Sequence, residues 1–243
     1  MDNKKKREIY LIVSIISGSI FVFGIGSFVL YIFINFFRMK NIFSNFSMFE
    51  RVDNIIPIYI MAAFSSPIFK YTFNKYKQLN HGINGEESSQ NTLSKLPSTY
   101  TVLSNTPIEC DGKKSEIDNL VISPKGIVIV ETKNYNGIIT GSVENDEWSQ
   151  TKTSSSGNSY TNTIKNPIKQ LNRQIYILSQ ILNNNGIHSY IHGLVYMSGG
   201  KCLVESDKVL SDEKSLLTSI INVKNDKMLS NEEIQKIITI LKN

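Results

Sequence analysis

Three side chains in the middle of the chain have the types and spacing to work on a phosphate ester. Asp118 falls in the run Glu116-Ile-Asp-Asn-Leu-Val-Ile122, and Glu131-Thr132-Lys133 closes the run that begins Ile127-Val-Ile-Val130. On an extended strand alternate residues share a face, so Glu131 and Lys133 project to the same side. Charges at the end of four β-branched residues are costly to bury without a partner or a metal. Two carboxylates and a lysine on neighbouring strands suit a hard cation such as Mg²⁺ (or Mn²⁺), which takes one or two carboxylates and keeps several waters. Such an ion polarises a phosphodiester and lowers the pKa of an attacking water. Lys133 would then orient that water or balance developing charge. A lone Glu-x-Lys is also a common solvent-facing ion pair, so the surrounding elements decide the reading.

Those elements form a hairpin and the pieces that flank it. Ser123-Pro-Lys-Gly126 is a turn signal joining the Asp118 strand to the Glu131 strand. Tyr100–Leu103 reads as an earlier strand and Gly137–Val143 as a later one. Glu86 to Leu96 reads as a short helix stopped by Pro97. Thr151–Asn162, rich in Ser, Thr, Asn and Gly, reads as a loop. Asn166-Pro167 opens a helix to about Asn183, with Ile168, Leu171, Ile175, Leu178 and Leu182 at helical spacing. Ile191–Met197 and Lys201–Glu205 read as strands, and the capping box Ser230-Asn-Glu-Glu233 opens a last helix through Leu241. This order predicts an α/β core around a mixed sheet.

Residues 82–170 resemble the nuclease-related domain (NERD) family, a branch of the PD-(D/E)xK nuclease superfamily. The resemblance runs through Gly82-x-x-Gly85-Glu86, Glu116-Ile-Asp118-Asn-Leu-Val-Ile122 and Gly126-Ile-Val-Ile-Val-Glu131-Thr-Lys133-Asn134. It continues through Gly137-x-Ile139-x-Gly141, Trp148 and Asn166-Pro167-x-x-Gln170. It implies a restriction-endonuclease-like core of helix, mixed sheet, helix and strand within residues 81–243. It also implies metal-dependent hydrolysis of DNA, with Asp118, Glu131 and Glu86 as metal ligands and Lys133 beside them as a catalytic residue. Gln170 would support the site or touch the phosphate backbone. The family often places a histidine after the aspartate; here the residue is Asn119, and no role is assigned to it.

The N-terminal third has a different character. Residues 9–37 carry no charge and lie between Lys4-Lys5-Lys6-Arg7 and the basic pair Arg38 and Lys40. About 20 apolar residues span a bilayer core, so this segment is long enough to cross with tilt. A cleaved signal peptide fits less well, because the run far exceeds a signal h-region and no small-x-small site precedes Arg38. Residues 55–69, with Pro57 and Pro67, read as a second, short span rather than an interfacial or buried segment, because Lys70, Lys75 and Lys77 follow like a cytoplasmic flank, and residues 70–80 read as a linker. Two spans make a hairpin with residues 1–8 and the domain both cytoplasmic and an external loop at about 38–54. One span would put the domain outside. The expected partners are the lipid bilayer and DNA.

Seven basic and four acidic residues give residues 1–69 a charge of +3, which leaves +2 of the total +5 for the remainder. A DNA-binding surface must therefore be a local patch. Cys110 and Cys202 are too few for a disulfide framework or a zinc site and fit reduced thiols. His81, His188 and His192 share no ligand spacing. Trp148 reads as a packing residue, and Lys113-Lys114 beside Asp111-Gly112 as a hairpin turn. The alternative class is a catalytically weak nucleic-acid-binding or scaffold module at the membrane.

Overall fold

The computed structural model describes residues 2–40, 56–154 and 156–242. They divide into two compact units, with the boundary between Ile83 and Asn84.

The first unit is a pair of long helices, α1 (Asn3–Lys40) and the greater part of α2 (Ile56–Leu93). They run antiparallel. Arg7 Nη1 donates to Asn80 Oδ1 at 3.5 Å, the rings of Tyr10 and Tyr71 lie 6.5 Å apart, and those of Phe28 and Tyr59 lie 5.3 Å apart. The pattern of burial is inverted relative to a water-soluble pair. Ser14, Ser17, Gly24, Ala62, Ser65 and Thr72 are inside, while Ile12, Ile16, Phe23, Met61 and Phe64 are outside. Small residues let the two backbones approach. A Cβ built on Gly24 would collide with that of Ala62, and one on Gly18 would sit 3.1 Å from the Phe69 ring. The buried hydroxyls are satisfied within their own helices: Ser14 donates to Leu11 O at 2.8 Å, Ser17 to Val13 O at 2.7 Å and Ser65 to Ala62 O at 2.7 Å. The stretch Asn3–Phe33 is long and apolar enough to cross a membrane.

Residues 70–80, expected as a linker, are helical, and α2 continues through Pro67. The expected short helix from Glu86 is the last part of α2, which stops at Leu93. The expected loop at 38–54 falls, past Lys40, outside the described residues.

The second unit is α/β with two mixed sheets. After the end of α2 come β1 (Thr101–Cys110), β2 (Lys113–Ser123) and β3 (Gly126–Lys133), then β4 (Ile138–Thr140), β5 (Glu147–Thr153) and β6 (Ser159–Lys165). Helix α3 (Pro167–Asn184) leads to β7 (Ile191–Met197), β8 (Lys201–Cys202), β9 (Val209–Leu210), α4 (Glu213–Ile221) and α5 (Asn231–Lys242). The larger sheet has the order β1-β2-β3-β7-β9; β1, β2 and β3 are antiparallel, and β3, β7 and β9 parallel. The smaller has the order β6-β5-β4-β8.

Strand β3 forms the middle of the larger sheet and is buried on both sides. Ile127 and Ile129 share a core with Leu171, Ile177 and Leu178 of α3, whereas Val128 and Val130 pack with Leu93, Leu216 and Ile220. Gly193 of β7 lets α3 lie close, since a Cβ there would stand 2.6 Å from Ile175 Cδ1. The capping box closes as its sequence predicts: Ser230 Oγ accepts from Glu233 N at 3.2 Å, and Glu233 Oε2 accepts from Ser230 N at 2.8 Å. Thr151–Asn162 is not a loop. It forms the paired ends of β5 and β6 around a short turn, with Thr151 opposite Thr161 and Thr153 opposite Ser159. Threonine is β-branched and suits a strand, and a polar strand forms where neither face has to be apolar.

Candidate active site

The site begins where the β2–β3 ladder ends. Paired residues run from Ser123↔Gly126 to Asn119↔Val130, while β3 continues to pair with β7 as far as Lys133↔Met197. One step past the last pair, Asp118 takes over the ladder: its Oδ2 accepts the Thr132 N–H at 2.8 Å. On the other side of β2, Asn105 adopts φ 50 and interrupts the β1–β2 register between Ser104↔Asn119 and Thr106↔Ile117. That is opposite Asp118. A non-glycine residue in the left-handed region marks a place where neighbouring structure holds the backbone under strain.

Glu131 follows Ile127 and Ile129 on the face beneath α3 and is fully buried, at 0% exposure. Two glutamines one helical turn apart meet the site from α3. Gln174 Nε2 donates to Glu131 Oε2 at 2.7 Å and to Glu116 O at 2.8 Å. Lys133 Nζ donates to Gln170 Oε1 at 3.1 Å. The same ammonium lies 2.6 Å from Glu131 Oε1 as an ion pair.

The electrostatics follow from this crowding. Burial first, and the Glu131 charge second, push the Asp118 carboxyl up to about 7 against the bond from Thr132 N–H. Burial alone would depress the Lys133 ammonium. The charge of Glu131 and then Asp118 outweigh it and hold Lys133 above its ordinary value.

The last turns of α2 bring Glu86 to the same region, and its charge adds a smaller upward push on Asp118. Gly85 makes the approach possible, because a Cβ there would stand 2.6 Å from Asn134 Cβ. Asn119, to which the sequence gave no role, anchors this turn from the opposite face of β2. Its Nδ2 donates to Ser89 Oγ at 3.0 Å, its Oδ1 accepts from Ser104 Oγ at 2.8 Å, and Ser89 Oγ donates to Glu86 O at 2.8 Å.

Asp118, Glu131, Lys133 and Gln170 thus belong to one constellation, with Glu86 at its edge. Among the described residues no three His, Cys, Asp or Glu side chains converge on one metal position. Gln174 was missed by sequence reasoning. The signal was available, since it interrupts the apolar stripe of α3 between Leu171 and Leu178.

Residues set aside on sequence lie elsewhere or pack. Trp148 is buried, and its Nε1 donates to Ser142 O at 2.7 Å. Lys113 sits 4.4 Å from the Tyr176 ring, and Lys114 pairs with Glu109 at 2.9 Å, flanking the Asp111-Gly112 turn. His188 bonds Asn183 and His192 bonds Asn225. Both cysteines are free thiols.

The profile of the nuclease-related domain family matches residues 81–198, a span that holds every side chain of this constellation. An uncharacterized protein of Bacillus anthracis is 32% identical over 163 residues, covering 63% of this chain and 71% of that protein. No solved structure matches the chain. The chain belongs to the nuclease-related domain family.

Proposed function

We propose that the protein is a membrane-anchored, metal-dependent nuclease of the PD-(D/E)xK type that hydrolyses phosphodiester bonds in DNA. The observation that carries this reading is the Asp118–Glu131 pair. A fully buried carboxylate, ion-paired with Lys133 at 2.6 Å, lies beside a second carboxyl pushed up to about 7. Such a pair gains most from a cation. Two carboxylates fit Mg²⁺ or Mn²⁺, which keep several waters, better than an ion that needs a closed protein cage. The order α2, β1–β3, α3, β7 also agrees with the helix, sheet, helix and strand of that nuclease core.

Asp118 and Glu131 would hold the ion, with Glu86 reaching it through water. When bound, it would polarise the scissile phosphate and activate a water. The chain's own groups do the positioning. Gln174 fixes Glu131 by one oxygen and leaves Oε1 to the Lys133 ammonium. The Thr132 N–H fixes Asp118. Lys133, tethered by Gln170, keeps an ammonium where charge develops on the phosphate.

Anchoring rests on the inverted packing of α1 and α2, with small residues inside and large apolar residues outside. The antiparallel pairing puts Arg7 beside Asn80, so both ends of the hairpin lie on one side. The basic residues at positions 4–7 make that side cytoplasmic by the positive-inside rule.

The test uses the full chain in detergent with linear and circular DNA, with Mg²⁺, Mn²⁺ or EDTA. Cleavage should require the divalent ion. Glu131→Gln should lower it by at least about a hundredfold, since removing one preorganised charge-stabilising group costs that much. Lys133→Ala should lower kcat far more than it weakens the metal dependence. Cleavage by Glu131→Gln at the wild-type rate would remove the reading. DNA binding without any cleavage would leave the alternative, a nucleic-acid-binding module.

A further inference from the structure

The β5–β6 hairpin has a composition the nuclease chemistry does not use. From Trp148 to Val204 the chain contains no acidic residue, and it contains five basic ones: Lys152, Lys165, Lys169, Arg173 and Lys201. The rest of the α/β unit, residues 84–147 and 205–243, has 11 basic and 17 acidic residues, so positive charge is concentrated in this stretch. Glu144, Asp146 and Glu147 stop at its base, where Asp146 pairs with Lys169 at 3.5 Å.

The pairing sorts the ribbon into two faces. Ser149↔Thr163, Thr151↔Thr161 and Thr153↔Ser159 put six hydroxyls on one face, and β6 is exposed along its length except at Ile164. On the other face Trp148 and Gln150 are buried at the base, but Lys152 and Tyr160 are opposite one another near the tip, and Tyr160 is 51% exposed. From Thr151 outward β5 is half-buried at Thr151 and Lys152 and exposed at Thr153, while the facing residues of β6, Ser159 to Thr161, are exposed. A two-stranded ribbon is one of the shapes the major groove of B-DNA admits.

Chain connectivity ties the base of this ribbon to the elements that carry the site. Strand β4 begins five positions after Lys133, and β6 ends at Lys165, two positions before α3 carries in Gln170 and Gln174. The smaller sheet is thus fed from the carboxyl ends of β3 and β7, the edge of an α/β sheet where ligands are received.

We infer that the β5–β6 ribbon is a DNA-contacting arm that grips duplex backbone beside the Asp118–Glu131 site through its hydroxyls and Lys152. The inference deepens the nuclease reading and rests on it for the substrate. Hydroxyls and lysines position phosphates without reading sequence, so the grip is sequence-independent. An anionic membrane surface is the weaker occupant, because the hydroxyl face lacks the apolar stripe that an interfacial segment buries.

The experiment measures anisotropy of a fluorescein-labelled duplex with the full chain in detergent, without divalent metal, across a salt series. Lys152→Glu should raise Kd about tenfold and reduce the salt slope by about one. Thr151→Val with Thr161→Val, which keeps β-branched residues in the ribbon, should raise Kd several-fold. Lys214→Glu, the same charge change on α4, is the control and should bind as wild type. Unchanged melting temperature shows that the variants fold. Ribbon variants that bind DNA within twofold of wild type overturn the inference, all the more so if Lys152→Glu instead loses anionic phosphatidylserine vesicles. Intact cleavage beside that result leaves the nuclease reading standing. Ribbon-dependent binding by a protein that never cuts leaves the inference standing and the nuclease reading fallen.

Discussion

In the helical hairpin the interior belongs to Ser14, Ser17, Gly24 and Ala62, while Ile12, Phe23 and Phe64 face outward. In the α/β unit the interior belongs to Ile127, Ile129, Leu171 and Leu178, and the outward face of β6 is Ser, Thr, Asn and Lys. The two regions use the same covalent chain and opposite rules, as the membrane-anchored reading requires of parts that meet different solvents. Where the surroundings are as apolar as leucine, burying leucine gains little, and close approach of small residues is what remains. Where the surroundings are water, each buried methylene contributes about 0.8 kcal/mol and large side chains go in. Glu131 is the exception within the water-soluble unit. A fully buried carboxylate in a strand of Ile and Val, held by Gln174 and Lys133, is what the proposed site is built on.

The contrast can be broken outright by topology. In a variant lacking Cys110 and Cys202, a cysteine replacing Gly157 at the ribbon turn should resist a membrane-impermeant maleimide in intact cells and react after lysis. Labelling in intact cells would put the α/β unit outside and end the hairpin reading. A smaller effect is expected at the helix contact. Gly24→Leu must displace Ala62, and overpacking of this kind costs about 1–3 kcal/mol. Cysteines replacing Phe28 and Tyr59 should then cross-link several-fold less than in the parent. An unchanged yield would mean that the small residues do not set the contact.

A test at Asp118 sharpens the exception. Asp118 has a pKa of about 7 when folded against an ordinary 3.8, so ionising it costs the folded state. The sign is fixed by that order: the penalty is absent below about pH 4, grows as pH rises, and is complete above about pH 7. Asp118→Asn keeps an acceptor for the Thr132 N–H and removes the charge. In EDTA it should stabilise the protein by up to about 4 kcal/mol at pH 8 and by nothing at pH 4, while abolishing cleavage. A variant less stable than wild type at pH 8 would make Asp118 a structural residue.

Much of this was legible in the sequence, for reasons that are local. The β2–β3 hairpin follows from Ser123-Pro-Lys-Gly126, and α3 from the Asn166 cap, whose Oδ1 accepts the Ile168 N–H at 2.9 Å. Glu131 and Lys133 share a face by strand alternation alone. Other features depend on partners distant in the chain. Gln174 looks like an ordinary polar break in a stripe until Glu131 lies beneath it. Asn119 has meaning only through Ser89 and Ser104, on two other elements. Residues 151–162 read as a loop from their polarity alone, whereas the cross-strand hydroxyl pairs there, such as Thr151 and Thr161 at 3.1 Å, need no apolar alternation. Helix α4 was not foreseen; its Asp212 cap and short apolar run are common motifs that acquire weight only when Leu216 and Ile220 cover β3.

The outer strands of both sheets carry a further consequence. Strand β6 ends the smaller sheet with hydroxyls, Asn162 and Lys165, and β1 ends the larger with Pro107, which has no N–H to offer a visiting strand. Molecules confined to a surface meet one another far more often than molecules in bulk, and an apolar, unguarded edge would recruit its neighbours into a growing cross-β stack. On the membrane-anchored reading, hydrated and proline-bearing edges would keep such encounters brief where an ordinary edge would template aggregation.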